Sequence, residues 1–300
     1  MTERKAHMDA TGTSILVGFS ILLGLNQALV KVVNDGFAPL FQSGLRSACA
    51  IPLVLGFALY ARRNLSLNGS LPWGVLNGMF FCLEFGLLFI ALDHTTVARA
   101  SLFFYVMPLW VAIGAHFLVP GENLHRNKVL GLGLAVCGLA IAFSGDLGKA
   151  PPQAWLGDLL ALLAGMFWAG IALLTRTKLQ NVSSELNLLY QLVVSAVVLT
   201  ACAALFGEMI REPTPLIYAI FSFQVVVVVA IGFLVWFWIL SIYPVSNMAS
   251  FSLLAPIFGV LFGWWIFDDA LTWTFIGALL LAGAGVYLVN KPPREPVPTT

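Results

Sequence analysis

Long apolar stretches constrain this chain more than any other feature, because they recur almost from end to end. A helix needs about 20 apolar residues to cross the hydrocarbon core of a bilayer. Stretches of roughly that length lie at 13–31, 39–60, 71–92, 97–119, 128–145, 155–176, 185–206, 215–241, 245–267 and 272–290. The sequence therefore predicts an all-α, polytopic membrane protein with ten transmembrane helices.

Composition points the same way. Of the 300 residues, 60% are hydrophobic and only 10% are charged, whereas an ordinary soluble domain has about 25% charged residues. This number of charges is too small to cover a surface exposed to water. We therefore expect the surface of the protein to contact the lipid bilayer. The net charge of +1 gives no basis for binding nucleic acid. The four cysteines form no CxxC pair, so neither a metal nor a cofactor is predicted.

The lysines and arginines are distributed unevenly between the two sides of the predicted bundle. Ten of the 15 lie on the side of the N-terminus, and three (Lys31, Lys149 and Arg211) lie on the opposite side. The remaining two, Arg46 and Arg99, lie within a predicted span or at its edge. An excess of basic residues marks the cytoplasmic side of a membrane protein. We therefore expect both termini in the cytoplasm.

The two halves of the chain resemble each other at an offset of 148 residues. At this offset residues 89–92 (FIAL) align with 237–240 (FWIL), and Pro108 aligns with Pro256. Each half has five predicted spans, an odd number, so the halves must insert in opposite orientations, as inverted repeats do. Both prolines are expected to kink the fourth helix of their half. The predicted organisation is a cytoplasmic tail at 1–12, a first five-helix repeat at 13–145, a linker at 146–154, a second inverted five-helix repeat at 155–290 and a cytoplasmic tail at 291–300.

Four polar residues lie inside the first four predicted spans at similar depth: Asn26, Arg46, Glu84 and Tyr105. A charged or strongly polar group within a span is costly, so it is a functional candidate by default. Glu84 could attract an ammonium group, Asn26 could hydrogen-bond a solute, and Tyr105 offers an aromatic surface. Arg46 has alternative roles: direct contact with the solute, an ion pair with Glu84, or part of a gate.

Two tryptophans of the second half, Trp168 and Trp236, are expected to face these polar residues. Indole rings provide stacking and cation–π surface for a solute. A structural role is the alternative for each candidate, since tryptophan is also a common packing residue. The predicted substrate-binding residues are Asn26, Glu84, Tyr105, Trp168 and Trp236.

Several segments resemble the drug/metabolite transporter superfamily, specifically its EamA-type members. Residues 157–169 (GDLLALLAGMFWA) resemble the opening of that family's second repeat, and Arg46 resembles the arginine of its second span. Pro108 followed by Glu122 resembles its signature before the fifth helix. The resemblance implies a secondary transporter of the bacterial inner membrane, working by alternating access, which exports small organic solutes.

Within that superfamily the chain is most similar to bacterial aromatic amino-acid exporters, through Tyr105, Trp168 and Trp236. This implies amino acids, including aromatic ones, as substrates. Those exporters have further aromatic residues where this chain has Gly24 or Leu25, Leu83 and Met107, which fits a broader substrate range. Another metabolite, a drug or a nucleotide-sugar-like solute is the alternative.

An intramembrane enzyme and a channel are the two other classes of function to which the sequence is relevant. The chain has no HExxH, GxSxG or phosphate-loop motif, and its four histidines are scattered, so no enzyme is predicted. The inverted repeat favours a carrier over a channel. The expected partners are a small-molecule substrate and the lipid bilayer, and the sequence does not predict an oligomeric state.

Overall fold

The computed structural model describes residues 10–67, 69–119, 124, 126–144, 151–207, 209–232, 235 and 254–290. The elements assigned within these ranges are helical, apart from one isolated antiparallel bridge between Phe37 and Ile210. The predicted all-α class is therefore confirmed. Trp236 lies outside the described residues.

The helices of the first half are α1 (Ala10–Asn34), α2 (Pro39–Tyr60), α3 (Leu71–His94), α4 (Val97–Phe104), α5 (Met107–Leu118) and α6 (Arg126–Ser144). Those of the second half are α7 (Ala154–Thr177), α8 (Ser184–Phe206), α9 (Pro215–Phe223), α10 (Leu254–Phe267) and α11 (Trp273–Asn290). A π-helical segment, Gln224–Ile231, continues α9 directly.

Six helical spans in the described part of the chain are long and apolar enough to cross a membrane. Five of them are the single helices α1, α2, α3, α7 and α8, and the sixth consists of α4 and α5. Shorter apolar helices cover Pro215–Ile231, Leu254–Phe267 and Trp273–Leu288. The multi-span membrane architecture is thus confirmed, while the count of ten spans and the inverted orientation of the halves stay predictions.

The fourth span is interrupted at Tyr105 and Val106, between α4 and α5. Pro108 is one of the first residues of α5 and has no N–H to donate to the carbonyl of Phe104, four residues earlier. That carbonyl oxygen lies against α7, where a Cβ atom added to Gly165 would be only 2.7 Å away. The proline thus frees a carbonyl, and a glycine on the neighbouring helix makes room for it.

Helices of the two halves interleave in the bundle. Close pairs are α1 with α10, α2 with α8, α3 with α7, and α6 with α11. Contacts made by a helix of one half are also made by the equivalent helix of the other half. The first span of each half contacts the fourth span of the other: α1 contacts α10, and α7 contacts α4 and α5. The third span of each half contacts the second span of the other: α3 contacts α8, and the π-helical segment contacts α2. The main core cluster lies among α1, α3, α4, α7, α10 and α11 and contains the buried rings of Phe89, Phe103 and Phe275.

The bundle exposes large apolar side chains on its surface, and several polar side chains are buried inside it together with the apolar core. Gln42, Asp158 and Gln224 are completely buried, whereas Leu205 and Trp273 are 83% and 88% exposed. Exposed apolar side chains are suited to a lipid environment, and buried polar groups there must find partners inside the bundle. Function is therefore to be sought among the buried polar groups.

Candidate functional site

The two charges predicted in the second and third spans are both buried at the interface of α2 and α3. Arg46 and Glu84 are each 3% exposed, and their charges interact. Within the described residues, however, neither side chain makes a hydrogen bond and no ion pair joins them. A direct ion pair between Arg46 and Glu84, one of the alternatives for Arg46, is therefore not present among the described residues.

The Arg46 guanidinium is held by aromatic rings. Its central carbon lies 4.6 Å from the ring centroid of Phe85 and 4.7 Å from that of Phe89. These residues are one helical turn apart on α3, and their rings contact each other edge to face at a centroid distance of 5.9 Å. Cation–π attraction is strongest where the cation is desolvated, so the two rings position Arg46 without using its N–H groups.

Tyr105 lies at the break between α4 and α5 and interacts electrostatically with Glu84. Its ring meets that of Phe104 edge to face at 5.2 Å. Tyr105, Trp168 and Phe85 are all partly buried against the main core cluster. The structure therefore brings Arg46, Glu84 and Tyr105 into one neighbourhood and sets Trp168 against the same core.

Asn26 takes part in a different contact. Its side-chain oxygen accepts a hydrogen bond of 3.4 Å from Nε2 of Gln224, the first residue of the π-helical segment. The Gln224 Oε1 atom is buried without a partner among the described residues. The contact of Asn26 thus leads to the eighth predicted span rather than to Glu84. Pro256 is the third residue of the described part of α10, and the residues preceding that helix are not described.

Sequence reasoning missed a buried ion pair between the two halves. On α4, Arg99 donates from Nε to both oxygens of Asp158 on α7, at 3.1 and 3.0 Å, and its Nη2 also contacts that carboxylate. Thr95 donates from its hydroxyl to Asp158 at 2.8 Å. Asp158 belongs to the family motif at 157–169, and a carboxylate at the fourth residue of a predicted span is a signal in the sequence that could have identified it.

Two further charged residues complete this region. Lys31, at the end of α1, donates to the backbone oxygens of Leu92, at 2.8 Å, and of Thr95. Asp269, between α10 and α11, accepts a hydrogen bond of 2.9 Å from the backbone N–H of Ala98. The charges of Lys31 and Asp269 also interact. Both ends of the α3–α4 connection are thereby tied to other helices.

We name the set Lys31, Thr95, Arg99, Asp158 and Asp269 the Thr95 cluster. Its members come from both halves of the chain, so it ties the halves together at one end of the bundle. Burial raises the pKa of Asp269, and the Ala98 N–H and the charge of Lys31 oppose that shift. The backbones are also close here, since a Cβ atom added to Gly157 would lie 2.7 Å from that of Thr95.

Comparisons with known proteins agree with this architecture. The model of the EamA-like transporter family matches residues 10–144 and 155–291. An uncharacterized transporter of Bacillus subtilis, YoaV, is 24% identical over 281 residues, covering 91% of this chain and 94% of that protein. A probable amino-acid metabolite efflux pump of Escherichia coli is 25% identical over 287 residues, covering 89% of this chain and 91% of the pump.

The fold also has a counterpart among solved structures. A crystal structure that is 20% identical in sequence covers 92% of this chain and 96% of its own, with a TM-score of 0.65. The family match spans nearly the whole chain, and the relatives described are named transporters or efflux pumps. The predicted resemblance to the drug/metabolite transporter superfamily is confirmed, and the chain belongs to the EamA-like transporter family as a membrane transporter rather than an enzyme.

Proposed function

We propose that this protein exports small organic solutes, chiefly amino acids including aromatic ones. The observation that carries the proposal is the buried carboxylate of Glu84, which has no hydrogen-bond partner among the described residues. An acidic group at the middle of a membrane helix costs about 2.5–3.5 kcal/mol on insertion scales. A partner that arrives with the solute, such as an ammonium group, would offset this cost during transport.

The aromatic residues around Glu84 suit such a solute. Tyr105 and Trp168 are partly buried against the main core cluster, and we propose that Trp236 adds a third ring from the eighth span. We assign to Asn26, through its contact with Gln224, a hydrogen bond to the same solute. The E. coli relative is named a probable amino-acid metabolite efflux pump, which supports amino acids as the substrate class.

Transport would proceed by alternating access between two inverted five-helix repeats, with ten spans and both termini in the cytoplasm of a bacterium. The helix contacts that persist when the halves are exchanged, and the repeated proline of the fourth and ninth spans, support this arrangement. In such carriers one repeat rocks against the other around a fixed site. Pro108 and Pro256 would mark the bends of the two moving helices.

Counterflow in liposomes tests the proposal. Purified protein is reconstituted in liposomes loaded with unlabelled phenylalanine, and uptake of radiolabelled phenylalanine is measured for the wild type and for Glu84→Gln. We expect saturable counterflow in the wild type and at least a tenfold lower rate in the variant, with unchanged thermal stability. Glu185→Gln is the matched control. Glu185, at the start of α8, is 4% exposed, close to the 3% of Glu84, but it forms an ion pair with Arg63.

Two results would contradict this assignment. Normal transport by Glu84→Gln would show that its charge is not needed for the solute. Loss of stability in step with loss of activity would show that Glu84 serves the fold alone.

A further inference from the structure

Arg46 has an unused capacity to bind an anion. A guanidinium group carries five N–H donors in a planar fork, yet the described residues supply none of them with a hydrogen bond, although Arg46 is only 3% exposed. A buried charge without hydrogen bonds is among the most costly arrangements in a protein. An arginine with a purely structural role would be expected to donate hydrogen bonds from these N–H groups to carbonyls or carboxylates of the bundle.

The aromatic contacts leave those donors available. The rings of Phe85 and Phe89 lie on the guanidinium, with centroid distances of 4.6 and 4.7 Å to its central carbon, and they offer no oxygen or nitrogen acceptor to its N–H groups. The planar fork of N–H donors in an arginine matches the two oxygens of a carboxylate. The contacts therefore hold Arg46 in place and leave its fork available for a carboxylate.

Acceptors with unused capacity lie next to this donor. Glu84 on α3 interacts electrostatically with Arg46 and is also without a hydrogen bond among the described residues. Gln42 lies one helical turn before Arg46 on α2. Its side chain is fully buried, and its Oε1 atom has no partner in the described part of the chain. The neighbourhood thus contains a cationic group and acceptor groups that lack hydrogen-bond partners among the described residues. These groups match the carboxylate and the ammonium group of a zwitterion.

We infer that Arg46 binds the α-carboxylate, and Glu84 the α-ammonium group, of a free α-amino acid. The inference rests on the proposed function, and it assigns to Arg46 a binding role beyond an ion pair or gate. A zwitterion supplies each group with a partner of opposite charge and adds no net charge to the buried site. An amine without a carboxylate leaves Arg46 unfilled, and an N-acylated amino acid leaves Glu84 unfilled.

The expected selectivity follows from the strength of such contacts. A hydrogen bond to a charged group contributes about 1.5–3 kcal/mol, which corresponds to roughly a tenfold to hundredfold preference. The wild-type protein should therefore bind phenylalanine at least about tenfold more tightly than phenethylamine, which lacks the carboxylate, or N-acetylphenylalanine, which lacks the ammonium group.

Competition in the counterflow assay tests this directly. Radiolabelled phenylalanine is the transported probe, and unlabelled phenylalanine, phenethylamine and N-acetylphenylalanine are the competitors. In Arg46→Gln the advantage of phenylalanine over phenethylamine should disappear, and in Glu84→Gln the advantage over N-acetylphenylalanine should disappear. Where a variant no longer transports, the same three affinities are measured by equilibrium binding to the purified protein.

The controls separate the possible failures. Arg63→Gln removes an arginine whose side chain is 53% exposed, and it should leave all three inhibition constants unchanged. Arg46→Lys keeps the charge but loses the planar fork, so it should weaken phenylalanine while keeping its rank above phenethylamine. If the wild type transports phenylalanine but both analogues compete equally well, the inference is wrong while the proposed function stands. If no amino acid is transported, the proposed function itself fails.

Discussion

The ion pair between Arg99 and Asp158 gives the sharpest prediction about stability. The exposed fractions of the two side chains are 7% and 0%, and Asp158 accepts hydrogen bonds from both Arg99 and Thr95. The substitution Asp158→Asn keeps the size of the side chain but leaves the Arg99 charge buried without its carboxylate. Breaking a buried pair in this way costs about 3–5 kcal/mol.

A second pair in the same protein supplies the control. Arg211 binds Asp93 through two hydrogen bonds of 3.0 and 2.9 Å, but these side chains are 29% and 25% exposed. An ion pair so accessible to solvent contributes about 0–1 kcal/mol. The substitution Asp93→Asn should therefore change the free energy of unfolding far less than Asp158→Asn.

The assay is denaturant unfolding in mixed micelles for the two single variants and for the double variant Asp158→Asn with Arg99→Gln. The double variant should recover much of the stability lost by Asp158→Asn, because the uncompensated charge is gone. If Asp158→Asn costs no more than Asp93→Asn, then the Thr95 cluster is solvated and does not hold the two halves together.

Three further predictions follow from the helix break, the glycine contacts and the topology. Pro108→Ala should let the fourth span continue as one helix, so counterflow should slow more than the yield of folded protein falls. Gly165→Ala should lower the melting temperature, because its Cβ would lie 2.7 Å from the carbonyl oxygen freed at the break, whereas Gly133→Ala meets no atom within 4 Å and should not. Reporter fusions at Gly69 and Lys149 should report opposite sides of the membrane, and the same side for both would contradict the ten-span topology.

The positions of the helices were predictable because lipid imposes a simple rule on the sequence. Every predicted span overlaps a described helix. Several helices begin at a proline or after a capping residue: Thr214, for example, caps α9 by accepting a hydrogen bond from the N–H of Ile217. Arg46 and Glu84 were predictable as buried because a charge within a span must face the bundle interior. Hydropathy does not predict how each helix rotates, so it did not predict that Arg46 meets aromatic rings and makes no ion pair.

Asp158 alone had a local signal in the sequence, and the contacts that form the Thr95 cluster were not predictable from local sequence. Its contacts join residues far apart in the chain: 64 positions separate Lys31 from Thr95, 59 separate Arg99 from Asp158, and 171 separate Ala98 from Asp269. Each of these residues lies near a helix end, where a charged side chain is ordinarily assigned to solvent. Their burial depends on how the α3–α4 connection fits between helices of the other half, which only the assembled bundle determines.

The pairing of buried charges has an electrical consequence. In the described part of the bundle Arg46 interacts with Glu84, Arg99 with Asp158, and Lys31 with Asp269, so each pair has no net charge when its carboxyl group is ionised. Moving one uncompensated charge across a potential of 100 mV would cost about 2.3 kcal/mol. A carrier whose mobile charges cancel reorients at a rate that the membrane voltage does not change, and a zwitterionic cargo adds no net charge. Recordings on protein-loaded supported membranes should therefore show phenylalanine transport without a transient current.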